Sequence, residues 1–171
     1  VQGPYRTTPS RDNVPNRDAW NQHCVNETAS VLSAALRWLR DHDLLDAGTL
    51  RCLPLDRTKF AEGSMFGAIF DATKHTLASE EMLPRFGGGH SAAANARLAR
   101  TQDLRELFDA KQVAALFKVD GELAWLSGEI SQDRTPELRQ YLMRELQIAE
   151  ITPEMILPKL DAPFLEEQAD T

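Results

Sequence analysis

The chain has 171 residues, 42% apolar and 26% charged, with a net charge of −7, so it can bury a core and is not composed like a disordered segment. No apolar run approaches the roughly 20 residues that a membrane-crossing helix needs, and no basic-then-apolar opening reads as a signal peptide. The surplus of negative charge repels phosphate backbones, so nucleic acid is not expected as a partner, and without a spanning run no membrane is expected as one.

The charge is spread unevenly. From Glu145 to Thr171 seven acids face one base, Lys159, whereas the first seventeen residues carry Arg6, Arg11 and Arg17 against Asp12 alone. Cys24 and Cys52 lie 28 residues apart and read as buried free thiols of a reducing, cytoplasmic compartment. The opening Val1-Gln2-Gly3-Pro4-Tyr5 reads like the interior of a strand, so the chain is expected to be a piece of a larger protein.

Pro4, Pro9 and Pro15 predict a short strand and then an extended loop. Trp20, Cys24, Thr28, Val31, Leu32, Ala35, Leu36 and Leu39 recur at spacings of three and four and predict one face of a long helix. Asn16 or Asp18 caps its start, and it should run to about His42. Leu50 to Leu55 is an apolar run ending around Pro54, read as a strand or extended connector. A second helix is expected over 64–77, with Phe66, Ile69, Phe70, Thr73 and Leu77 facing inward.

Met82-Leu83-Pro84 precedes Phe86 and a Gly87-Gly88-Gly89 loop, and a short strand or helix follows near 96–99. Helices are predicted over 102–108 and 110–118, the second capped by Asp109, and a strand within 123–130. Thr135-Pro136-Glu137 and Thr152-Pro153-Glu154 each place a cap, a proline and an acid in the order that opens a helix. The expectation is an α+β fold dominated by helices, with short strands near 1–5, 50–54, 81–84 and 122–130. Residues 1–110 form its first region and 111–171 a helical second region with an acidic end.

Most chemical candidates reduce to structural roles. His23, His42, His75 and His90 make no pair at ligand spacing, so no metal site is expected. Asp41-His42-Asp43 reads as solvated charge at a helix end, since adjacent helical residues do not share a face. Gly87-Gly88-Gly89 lacks the Lys-Ser/Thr ending of a phosphate loop and reads as a flexible connector. Asp56-Arg57-Thr58 and Asp133-Arg134-Thr135 read as turn and cap sequences. Arg11 stands apart, in a polar loop with no periodic reason to be basic. A guanidinium fork suits phosphate oxygens and can stabilise charge on a transferring phosphoryl group. The alternative is a loop arginine paired with Asp12 or Asp18.

Gly3, Tyr5, Arg11, Trp20 and Asn21, opening a long helix, resemble the segment that follows the histidine-kinase-like (GHKL) ATP-binding domain of sacsin-like proteins. Leu53-Pro54, the 66–77 helix, Leu83-Pro84, Gly89 and Ala94-Asn95-Ala96 are similar to the looser pattern of the sacsin repeat region. Asp12 stands where that family often has a second basic residue. The resemblance implies a module after an ATPase domain of a chaperone-like protein, coupling nucleotide state to movement or client binding. It implies no cofactor in this chain, with ATP and Mg2+ held by the preceding domain of the same parent. Arg11 is the implied catalytic residue reaching that nucleotide, and a protein client the implied partner. The other reading is a protein-interaction domain with no nucleotide link.

Overall fold

A computed structural model describes residues 3–119, 121–161 and 164 of the chain. Its longest element is α1, Ala19–Asp41, capped as expected by Asp18, whose carboxylate accepts from the Asn21 backbone N–H. It ends where Asp43 turns left-handed at φ 56° and Leu44 N–H closes back on the Leu39 carbonyl at 2.8 Å.

The buried face of α1 differs from the predicted stripe. Asn21, Cys24, Val25, Ala29 and Leu36 are buried, while Val31 is 65% and Trp20 42% exposed. The steps from Asn21 to Val25, Ala29, Leu32 and Leu36 also follow threes and fours, and they carry a polar residue that apolar periodicity passes over. The helix is therefore rotated from the expected register.

The expected strand at 50–54 is instead a turn of helix, α2, Ala47–Leu50, followed by hydrogen-bonded turns. Asp46 captures the Thr49 N–H at 2.7 Å, and this N-cap outweighs the extended tendency of the run before Pro54. Cys52 is exposed rather than buried, in contrast to Cys24. Of the expected strand at 1–5, Val1 and Gln2 lie outside the described residues, and Gly3 to Tyr5 pair with no strand among those described.

Helix α3, Gly67–Ser79, buries Ile69, Phe70, Thr73 and Leu77 as its spacing requires. The Thr73 hydroxyl is satisfied by the Ile69 carbonyl at 2.8 Å. A side chain at Gly67 would place its Cβ 2.9 Å from the Ala61 carbonyl, so the entry to α3 admits only glycine without a backbone shift. Helices α1 and α3 pack together and are tied at the ends by Arg37 and Glu80.

Two small sheets follow. Strands β1, Leu83–Pro84, and β2, His90–Ser91, pair antiparallel with Leu83 opposite Ser91. Gly87, Gly88 and Gly89, all at positive φ, form the tight connection between them, with Arg85 N–H bonded to Gly89 O at 3.0 Å. The triplet is thus a hairpin turn, and β2 was not foreseen. Strand β3, Ala96–Ala99, sits at the centre of a parallel sheet between β4, Ala124–Trp125, and β5, Glu150–Ile151.

Helices α4, Gln102–Leu107, and α5, Ala110–Phe117, take their predicted places, and Asp109 with Gln112 forms a reciprocal capping box. Both Thr-Pro-Glu sequences open helices, α6, Pro136–Arg144, and α7, Pro153–Ile156, the latter running into a 3₁₀ turn at Leu157–Lys159. The main core joins Leu36, Phe70, Leu77 and Met82 with Leu126, Leu138, Tyr141 and Leu142. Side chains from both sides of residue 110 therefore share one interior. Truncating a buried aromatic such as Phe70 in a core of this kind costs about 3–5 kcal/mol. The architecture is α+β and dominated by helices, as expected. Of the acidic end, Glu166, Glu167 and Asp170 lie outside the described residues.

Candidate functional site

The residues singled out at the amino terminus form one physical unit. Residues 3–18 run as a strap across the start of α1, and the first turns of the helix hold it. The Trp20 indole N–H donates to the Pro4 carbonyl at 2.8 Å, which explains why this tryptophan faces outward from the core. Asn21, fully buried, accepts from Arg6 N–H at 2.7 Å and donates to the carbonyls of Arg6 and Pro15 at 2.9 and 3.0 Å. Tyr5 packs edge-on to Phe66, ring centroids 5.8 Å apart, and so joins the strap to the turn before α3.

Arg11 stands at the tip. Its N–H bonds to the Thr8 carbonyl at 2.9 Å, and Thr8 N–H bonds to Asn13 O at 3.0 Å, closing a compact turn. Within it Arg11 adopts φ 59°, a left-handed conformation that costs a non-glycine residue about 1–2 kcal/mol. Hydrogen bonds from the Thr8 and Ser10 hydroxyls, at 2.6 and 2.7 Å, hold the Asp12 carboxyl below its ordinary range. Asp18 pairs instead with Arg6 at 3.6 Å. Neither expected carboxylate engages Arg11, which makes no ion pair among the described residues. The guanidinium is left exposed beside a shallow hollow of about 470 Å³ that Asn13, Ser64 and Phe66 also line.

The other candidates resolve into structure. Asp41, His42 and Asp43 are exposed at the end of α1, with the His42 ring stacked on Trp38 at 4.1 Å. His90 bonds through its ring to the Leu45 carbonyl at 2.8 Å, and His23 and His75 are exposed. Among the described residues no group of three or more His, Cys, Asp or Glu side chains converges on a metal-sized site. Asp56 accepts from both the backbone and the hydroxyl of Thr58, while Arg57 pairs with Asp71 at 2.6 Å.

Sequence reasoning named Asn21 and Tyr5 only as motif positions and missed what they do. The available signal was a carboxamide four residues before Val25, on the side of the helix that is otherwise apolar. A buried amide must find partners, and the nearest unpaired backbone belongs to the strap. No protein-family model, no curated protein and no solved structure matches this chain.

Proposed function

We propose that this chain is a module following an ATP-binding domain in a larger GHKL-type, sacsin-like ATPase of the cytoplasm. It couples nucleotide state to conformational change or client binding, and Arg11 is the residue that reaches the nucleotide phosphates. ATP and Mg2+ belong to the preceding domain of the parent, and this chain holds neither. The observation that carries the reading is Arg11 itself, a guanidinium without a carboxylate partner among the described residues, on a strained tip whose base is fixed by Trp20 and Asn21. Backbone strain of this kind persists where surrounding structure over-determines it, and it concentrates at functional positions. The motif residues Tyr5, Trp20 and Asn21 then serve to aim the tip, and Asp12 is kept from Arg11 by Thr8 and Ser10.

The test is ATP turnover by the full parent, its Arg11→Ala variant and this chain alone. Arginines supplied to a phosphoryl group from outside the pocket contribute about 10³–10⁵ in rate, so the variant should lose most turnover and the chain alone should show none. Turnover unchanged by the substitution removes Arg11 from the chemistry.

A protein-interaction domain without a nucleotide link is the second reading, favoured by one observation. Val31 and Trp38, 65% and 54% exposed and two turns apart on α1, place apolar surface on the outer side of that helix.

A further inference from the structure

Away from the strap, a cleft of about 1000 Å³ opens between α1, the 51–60 segment and α6. Its size lies at the upper end of small-ligand sites, which span about 300–1,000 Å³. Leu53, Leu55, Phe60 and Tyr141 supply apolar surface, and all four pack in the main core. Tyr141 is 2% exposed, packs edge-on to Phe70 at 5.7 Å, and has a buried hydroxyl with no hydrogen-bond partner among the described residues. Burial first, and then the carboxylates of Glu145 and Asp71, push the phenol upward, so the group remains a protonated donor. A buried donor without an acceptor costs about 1–3 kcal/mol.

The charged groups lining the cleft divide into occupied and free. Arg57 is taken by Asp71, Lys59 by Asp56, and Glu145 by Lys74. Arg51 makes no side-chain hydrogen bond or ion pair among the described residues. Among the described residues Arg144 meets only the neutral Gln140 amide, which when turned oxygen-first accepts from both terminal guanidinium nitrogens at 2.8 and 3.0 Å. Among the described residues, two arginines without a carboxylate thus share the cleft with a single unpaired acid, Glu137.

We propose that this cleft binds a small organic carboxylate with an apolar or aromatic body. The body packs on Leu53, Leu55 and Phe60, and Arg51 and Arg144 take the carboxylate. A bidentate guanidinium–carboxylate contact gives orientation as well as attraction. The proposal is independent of the role given to Arg11.

The probes are a panel of arylalkanoic acids, each beside its neutral amide, titrated while protein NMR shifts and the alkylation rate of Cys52 are followed. Cys52 is an exposed thiol lining the same cleft, whereas Cys24 is buried and serves as the internal control. Saturable binding is expected at roughly millimolar Kd or tighter for fragments of this size, with acids preferred over amides and Cys52 protected. The double variant Arg51→Gln with Arg144→Gln should lose about tenfold in acid affinity and the preference over amides. Tyr141→Phe should leave acid binding unchanged, since its hydroxyl is out of a ligand's reach, and Glu137→Gln should strengthen binding by removing the opposing charge. Equal binding of acid and amide, binding indifferent to the two arginines, or no saturation by any acid in the millimolar range each overturns the proposal.

Discussion

Asn21 holds both backbone polar groups of Arg6: its side-chain oxygen accepts from Arg6 N–H at 2.7 Å, and its side-chain nitrogen donates to Arg6 O at 2.9 Å. A strand would satisfy these two backbone groups in the same way, so a helix side chain here substitutes for a missing sheet partner. The third bond, to Pro15 O at 3.0 Å, closes the far end of the strap and makes its geometry depend on one amide.

Asn21→Ala should therefore release the strap. Backbone groups freed at the surface rehydrate, so the loss should stay near that of two or three ordinary hydrogen bonds, about 1–3 kcal/mol. A lowered urea midpoint measures it. Trypsin gives the local readout, because cleavage after Arg6, Arg11 and Arg17 should accelerate well before global unfolding. Cleavage unchanged by the substitution would show that the strap holds without Asn21.

What could be read in the sequence followed how local each determinant is. The ends of α1 were legible because Asp18 sits within one turn of the amide it caps, and the start of α5 because Asp109 and Gln112 satisfy one another. The rotation of α1 was not, since Val31 and Val25 are equivalent to a periodicity argument and only distant α3 decides between them. Strands β2 and β5 span two residues each and exist through partners found elsewhere in the chain, Leu83 for Ser91 and Ala99 for Ile151. Their own side chains carry too little pattern to announce them. Arg11 was visible as an oddly placed base, but its left-handed backbone and the capture of Asp12 by Thr8 and Ser10 follow from hydrogen bonds that residue spacing does not encode. The cleft was beyond reach, being assembled from Arg51, Leu53 and Phe60 on one segment and Tyr141 and Arg144 on a helix some eighty residues later.

The glycine hairpin makes a backbone prediction free of packing. Gly88 has φ 102°, and a Cβ there would meet nothing within 4 Å. Gly88→Ala should still destabilise by about 1–2 kcal/mol, because the strain lies in the left-handed backbone. Chemical denaturation measures the loss, and an unchanged midpoint would mean that the turn relaxes to another conformation.

The tie between α1 and the end of α3 should be visible in the pH dependence of stability. Arg37 meets Glu80 through Nε at 3.0 and 3.1 Å and through a terminal nitrogen at 2.7 Å, and Arg40 lies 4.0 Å away. The Arg37 hydrogen bonds hold the Glu80 carboxyl below its ordinary 4.5. A carboxyl lowered by folding adds stability that is fully present above 4.5 and is lost as pH falls through its folded value. Glu80→Gln should therefore lower the urea midpoint at neutral pH and leave it unchanged well below pH 4.5. High salt should narrow the difference, since the pair is partly exposed.

The hydroxyl of Tyr141 allows stability to be separated from function at a single atom. With no partner among the described residues, it contributes a desolvated donor and no compensating bond to the folded state. Removing an unpaired buried polar atom while keeping the ring is neutral or favourable, so Tyr141→Phe should raise stability by up to about 1 kcal/mol, with the edge-on contact to Phe70 retained. Thermal unfolding without ligand measures this. Adding a cleft-binding acid should raise the Tm of both proteins alike, because binding stabilises the folded state in proportion to affinity and the hydroxyl lies out of the ligand's reach. A phenylalanine variant less stable even without ligand would mean that the hydroxyl is already satisfied within the folded protein.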